Sequence, residues 1–128
     1  MKEKYDVPIA PESEFVSYMM EQMSQFGLPC TEEQAKDFYV YYVRMIETNK
    51  YLNLTGITDM KEVVVKHMID SLSCYDPNII KSGMSIIDVG TGAGFPGIPL
   101  AIYDRSLKVT LFDSLKKRLT FLESVMDE

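Results

Sequence analysis

Residues 86–97 read Ile-Ile-Asp-Val-Gly-Thr-Gly-Ala-Gly-Phe-Pro-Gly, an apolar, β-branched run that breaks into a segment carrying Gly90, Gly92, Gly94, Pro96 and Gly97. From Met84 to Val89 side chains of both parities are apolar, as expected for a strand covered by helices on each side. Glycines directly after such a strand let the chain turn sharply, with positive φ where needed, and let a ligand lie against bare backbone. Ile98–Tyr103 then reads as a short helix, because Pro96 and Pro99 fall in a first turn where a missing N–H does no harm. Lys108–Phe112 (KVTLF) is a second strand, so Ile86 through Asp113 forms one βαβ unit, parallel and right-handed by the crossover rule. Ser114 to Glu128 completes the region as a helix carrying Leu115, Leu119, Leu122 and Met126.

Upstream of Ser82–Gly83 the texture changes to helix throughout. Phe15, Met19, Met23 and Phe26 form one stripe over about Glu12–Phe26, stopped by Gly27 with Pro29 beyond. Thr31 and Gln34 form a capping box that opens a second helix to about Thr48, its face taking Ala35, Phe38, Tyr39, Tyr42 and Ile46. Asn53-Leu54-Thr55-Gly56 is a polar turn. Asp59 and Glu62 start a third helix, ending before Pro77, with Val63, Val64, Met68, Ile69 and Leu72 on its buried stripe. The expected organisation is a helical subdomain over 1–82 followed by an α/β region over 83–128, with no internal repeat.

Composition narrows the function classes. A 46% hydrophobic chain of 128 residues has enough apolar side chains for a core, and no apolar run approaches the ~20 residues that span a bilayer. The first residues lack the apolar middle of a secretory signal, so the expected location is the cytoplasm and no membrane is involved. Cys30 and Cys74, far apart in a chain with one histidine, support neither a disulfide framework nor a metal site, and both are read as small apolar residues. A net charge of −6 argues against a broad nucleic-acid surface while leaving room for a local basic patch.

The glycines fit two templates. Gly90-x-Gly92-x-Gly94 matches S-adenosylmethionine methyltransferase loops, and Gly92-x-Gly94-x-x-Gly97 matches the dinucleotide fingerprint. In both, backbone amides at the helix start are expected to face the ligand. In both, Asp113, about 20 residues after Gly94, is placed to accept ribose hydroxyls, a role compatible with capping the helix that follows. Asp88 favours the methyltransferase template, where an acid before the first glycine lies near the ammonium end of the cofactor. So does the long helical segment ahead of the loop.

With these residues in hand, the chain resembles the bacterial small-subunit rRNA guanine-N7 methyltransferases, formerly called glucose-inhibited division protein B. The resemblance rests on Asn53-Leu54-Thr55 with Ile57-Thr58, on Lys66-His67-Met68-Ile69-Asp70-Ser71-Leu72, on Ile87 through Leu100, and on Asp113 through Arg118 with Phe121-Leu122. Thr48 departs from it, standing where relatives commonly have tryptophan. The resemblance implies an α/β, Rossmann-like class I methyltransferase fold behind an N-terminal helical subdomain. It implies transfer of a methyl group from S-adenosylmethionine to N7 of a guanine in the 530 loop of 16S rRNA, with the small ribosomal subunit as partner. Carried over by position, Asp88, Gly90, Gly92, Gly94, Phe95 and Asp113 bind cofactor. His67 and Asp70, one turn apart on a helix face, lie beside the cleft, with His67 on the substrate side. Lys116, Lys117 and Arg118 either touch RNA phosphate or form a solvated helix face. No catalytic base is nominated, because guanine N7 is already an unprotonated lone-pair nucleophile.

Relatives of this kind run on for about another hundred residues, so the sequence reads as an N-terminal part ending after the second strand and its following helix. Weak cofactor binding, poor turnover and pairing of copies through an open sheet edge follow as expectations. Two other readings remain: a fragment of an NAD(P)-binding Rossmann oxidoreductase, and a non-enzymatic interaction module.

Overall fold

A computed structural model of the chain describes residues 8–50, 52, 54–76, 78–113 and 115–126. Asn53 of the polar turn, Ser114 before the last helix, and its end at Asp127 and Glu128 lie outside the described residues. Helix α1 spans Glu12–Phe26 and ends as Gly27 takes φ 95°, with the Gly27 amide donating to Ser24 O and the Leu28 amide to Met23 O. This paired bonding satisfies carbonyls that a helix end otherwise leaves open, and only glycine takes that φ without strain. Helix α2, Glu32–Thr48, opens on the reciprocal box in which Gln34 N–H donates to Thr31 Oγ1 and Thr31 N–H to Gln34 Oε1.

The third helical segment departs from the expected single α-helix. It begins as α3, Met60–Glu62, capped by Asp59, becomes a π-helix over Val63–Ile69, and returns to α-helix as α4, Asp70–Leu72. A π-helix bonds i to i+5, so Val63 pairs with Met68 and Val64 with Ile69 along one buried stripe. In a regular α-helix His67 would sit on that stripe beneath Val63. The wider turn moves it to the stripe's edge, half-buried, while Asp70 is exposed. The two residues differ in burial, yet the Asp70 charge still acts on the His67 ring.

Strand β1, Ser85–Val89, pairs in parallel with β2, Lys108–Phe112, in the register Ile87 to Thr110 and Asp88 to Leu111. Between them runs α5, Gly97–Tyr103, and after β2 comes α6, Lys116–Met126. One sheet face, Ile86, Asp88, Val109 and Leu111, is partly buried. The other is bare: Ile87 is 66%, Val89 79% and Phe112 54% exposed. The expected cover on both faces is thus found on one only, since α2, α5 and α6 all stack on the same side. Helix α6 also turns differently from its expected stripe, burying Phe121, Leu122 and Val125 while Leu115 and Met126 face solvent. Phe26 likewise leaves the α1 stripe for solvent, and of the two cysteines Cys30 is buried and Cys74 exposed.

The core is one continuous cluster running from Phe15, Met19 and Met23 of α1 through α2 and the π-helix to Ile98, Ile102 and Leu122. Phe15 stacks on Tyr42 with ring centroids 5.1 Å apart. Each fully buried side chain of this size adds roughly 1.5–3 kcal/mol of hydrophobic stabilisation, so α2, buried along two sides, is the keystone. Polar ties cross from it to the sheet region: Gln34 Nε2 donates to Tyr103 O at 2.9 Å, and Arg105 pairs with Asp37 at 2.7 Å. No helix among the described residues is long and apolar enough to cross a membrane.

Candidate functional site

The glycine loop lies where both parallel strands end, and its shape follows from who bonds to whom. The Gly90 and Thr91 amides donate to Phe112 O at 2.8 and 3.0 Å, stitching the loop's start to the end of β2. Thr91 O then accepts the Gly94 and Phe95 amides, closing a tight turn. Asp88 sits at the foot of this turn, its Oδ2 accepting Thr91 Oγ1–H at 2.6 Å and the Gly97 amide at 3.0 Å. Asp88 is therefore the acceptor for the first amide of α5, and the Ile98 amide is taken by Gly94 O. The expectation that amides at this helix start face a ligand does not hold for these two, because the turn and Asp88 use them.

Asp113 reaches across from the end of β2. Its Oδ2 accepts the Gly92 amide at 2.8 Å, and its Oδ1 accepts the Leu115 amide at 2.9 Å and lies 3.4 Å from the Arg118 guanidinium. These two amide bonds, with the Arg118 charge adding to them, hold its carboxyl below the ordinary carboxylate value. A carboxylate offers roughly four lone pairs, so three partners leave about one for anything else. Arg118, expected at an RNA surface or on a solvated face, is turned instead toward Asp113 and is only one-third exposed, whereas Lys116 and Lys117 stand exposed on the first turn of α6.

Above the loop the glycines divide into two kinds. Gly90 and Gly92 have φ of +70° and +60°, and a Cβ added to either meets nothing within 4 Å, so the backbone there is an open ledge. Gly94, at φ +106°, is enclosed: its Cβ would lie 2.6 Å from Ile98 Cδ1 and 2.8 Å from the Tyr41 hydroxyl. A cavity of about 180 Å³ between α2, α5, β2 and α6 is a separate space, walled by Val40, Ile98, Ile102, Val109 and Leu111, with neither Gly90, Gly92 nor Asp113 in its lining.

The helical region supplies the loop's far wall. Phe95 stacks with the His67 ring, centroids 4.3 Å apart and 13° from parallel, and Tyr41 is tilted against it at 5.5 Å. His67 Nε2 lies 2.7 Å from Thr55 Oγ1, and Thr55 is itself placed by the Asn49 side chain, which bonds both the Thr55 amide and carbonyl. Burial lowers the His67 pKa, with Asp70 only partly offsetting it, so the imidazole is neutral near pH 7. The structure thus brings Asp88, Gly90, Gly92, Gly94, Phe95, Asp113 and His67 around one ledge and leaves Lys116 and Lys117 just beyond Asp113. Sequence reasoning passed over Tyr41 and Thr91. Thr91 was signalled by its place between two glycines, and Tyr41 by its helical spacing from Phe38 and Met45, which marks it as buried but not as a partner of the loop. Among the described residues no cluster of His, Cys, Asp or Glu converges as metal ligands.

Comparison with known proteins adds an independent line. The family model described as rRNA small subunit methyltransferase G matches residues 34–128. The chain is 43% identical over 115 residues to the ribosomal RNA small subunit methyltransferase G of Dictyoglomus thermophilum, covering 90% of this chain and 48% of that protein. It is 47% identical over 104 residues to the Alkaliphilus metalliredigens protein of the same name (81% and 44% covered), and 48% identical over 102 residues to that of Pelotomaculum thermopropionicum (80% and 43%). The chain spans about half the length of the curated relatives it matches.

Proposed function

The chain belongs to the rRNA small subunit methyltransferase G family, and from that premise we propose that it carries the S-adenosylmethionine-binding ledge of an enzyme that methylates guanine N7 in the 530 loop of 16S rRNA. The observation that supports this most is the pairing of a bare ledge at Gly90 and Gly92 with an acid, Asp113, fixed beside it at the ends of both strands. The residues fit the group: open backbone where an added Cβ meets nothing, an ionised carboxylate at its edge whose side chain is 4% exposed, and an aromatic wall at Phe95.

When bound, S-adenosylmethionine supplies an electrophilic methyl on a cationic sulfonium. Guanine N7 carries no proton, so the protein's part is alignment and electrostatics rather than proton removal. Gly90 and Gly92 admit the cofactor against backbone, and Asp113 fixes the Gly92 corner and is assigned to the ribose hydroxyls beside it. Asp88 shapes the loop from beneath and contributes negative charge on the side where a cation is to lie. The neutral His67, flat on Phe95, closes the side toward the substrate without competing for a proton. Lys116 and Lys117 are the exposed cations next to the ledge and are assigned to RNA phosphate, while Arg118 serves Asp113. The place of action is the cytoplasm, where small ribosomal subunits are found.

Titration calorimetry with S-adenosylmethionine and with NAD(H) tests the reading. Heat with the first and none with the second is expected, and a preference for the nicotinamide cofactor would move the chain to the oxidoreductases. The bare sheet face and unpaired strand edges further support association of two copies. A clean monomer in size-exclusion chromatography at high concentration contradicts that association.

A further inference from the structure

We infer that Tyr41, in the middle of α2, is a positioning residue for the cofactor ledge. This deepens the proposed function and rests on it for the identity of the cofactor. Tyr41 is fully buried, and its hydroxyl donates to Ala93 O at 2.5 Å, the carbonyl between Gly92 and Gly94. That contact joins residues far apart in sequence and is the direct polar tie from α2 into the glycine turn. The same hydroxyl, with Ile98 Cδ1, occupies the space a side chain at residue 94 would need, at a φ of +106° that already favours glycine. The ring meanwhile leans on Phe95, on which His67 also stacks.

Gly92, Ala93 and Gly94 form a segment with little side-chain bulk to hold it, and glycine φ values in the left-handed region are one choice among many for an unrestrained loop. Four hydrogen bonds restrict it: Asp113 on the Gly92 amide, Thr91 O on the Gly94 amide, the Ile98 amide on Gly94 O, and Tyr41 on the Ala93 carbonyl. The first three belong to the sheet region itself. Tyr41 ties the turn by a hydrogen bond to the core of the helical region, where His67 makes a ring contact with Phe95, and burial together with the Asp88 charge keeps its phenol protonated, so the hydroxyl is always available as a donor. Loss of that donor leaves Ala93 O buried without a partner and frees the turn to open, which lowers affinity without removing any group that touches cofactor.

Tyr42 provides the internal control. It is the next residue of the same helix, equally buried, and its hydroxyl accepts the Ala10 amide at 3.0 Å, well away from the loop. Y41F and Y42F in the 128-residue chain each remove one buried hydroxyl and keep the ring. Calorimetry with S-adenosylmethionine should show affinity lowered about tenfold in Y41F and changed less than about twofold in Y42F, although both melt at lower temperature. Amide hydrogen exchange without cofactor should show the Gly94 and Phe95 amides exchanging faster in Y41F alone. Y41F that binds normally with unchanged exchange overturns the inference, as does Y42F that weakens binding equally. If the wild-type chain takes up no S-adenosylmethionine, the proposed cofactor falls, while the exchange comparison still decides whether Tyr41 clamps the turn. Should Y41F fail to fold, wild-type exchange decides instead: protection of these amides at least about a hundredfold above an unfolded loop is required, and exchange at the unfolded rate overturns the clamp.

Discussion

The helical region and the sheet region differ in how completely each buries its own apolar surface. In the first, Phe15, Met19, Met23, Phe38, Tyr42 and Met45 reach full burial within three packed helical segments. In the second, a two-stranded sheet offers one face to α2, α5 and α6 and leaves Ile87, Val89 and Phe112 to solvent. Two parallel strands have little stability of their own. The glycine ledge lies at their ends, and its rigidity is therefore borrowed: Tyr41 and His67 reach out of the well-packed region to hold the loop that the poorly packed region carries. A cofactor loop built on half-covered strands can be well shaped when its anchors come from elsewhere.

That contrast can be tested from both sides. Phe38→Ala should have the largest effect, costing about 4 kcal/mol in urea unfolding, because a fully buried ring leaves a cavity in the keystone helix. A loss below about 1 kcal/mol breaks the idea that α2 carries the fold. Gly94→Ala comes next, at about 3 kcal/mol, since it combines strain at φ +106° with overlap against Ile98 and Tyr41. Gly90→Ala, with open space around it, should cost about 1–2 kcal/mol in stability, and it should reduce S-adenosylmethionine binding in calorimetry. Equal destabilisation by the two changes speaks against an enclosed Gly94.

Asp113→Asn sharpens the comparison through pH. Because the folded carboxyl titrates below its ordinary value of 3.8, its stabilisation is fully present above that value and is lost as pH falls through the lower folded one. The variant should lose about 1 kcal/mol at pH 7 and show a shallower acid limb, with Asp104, also held low by its bonds to Ser106, retaining part of the slope. Superimposable acid limbs count against the Asp113 network. Val89→Thr should matter least, within about 0.5 kcal/mol, as a nearly isosteric change on a bare face. A large thermal shift that grows with protein concentration shows instead that a second copy covers this face.

Local rules carried most of the element boundaries. The bounds of α1, α2 and β2 are those that the Gly27 stop, the Thr31–Gln34 box and the β-branched KVTLF run imply, since each signal acts through bonds within a few residues. The expected stripe of α2, Ala35, Phe38, Tyr39, Tyr42 and Ile46, leaves out Tyr41 and Met45, although both stand at helical spacing from Phe38 and both are fully buried. What the spacing does not carry is that the Tyr41 hydroxyl meets the Ala93 carbonyl, a contact made only once the sheet region docks. The π-helical turn escaped for a related reason: Val63, Val64, Met68 and Ile69 suit i+4 and i+5 spacing alike, and packing chose the wider one.

The sequence by itself determined that a strand, a glycine turn and a second parallel strand followed by Asp113 would form, and which family the chain resembles, because turn chemistry and motif spacing are written in neighbouring residues. Tertiary structure alone decided that Arg118 turns to Asp113, that His67 lies flat on Phe95, and that a tyrosine from α2 clamps the turn. These contacts join residues distant in the chain, and their geometry depends on how helices of particular pitch stack on one face of a sheet.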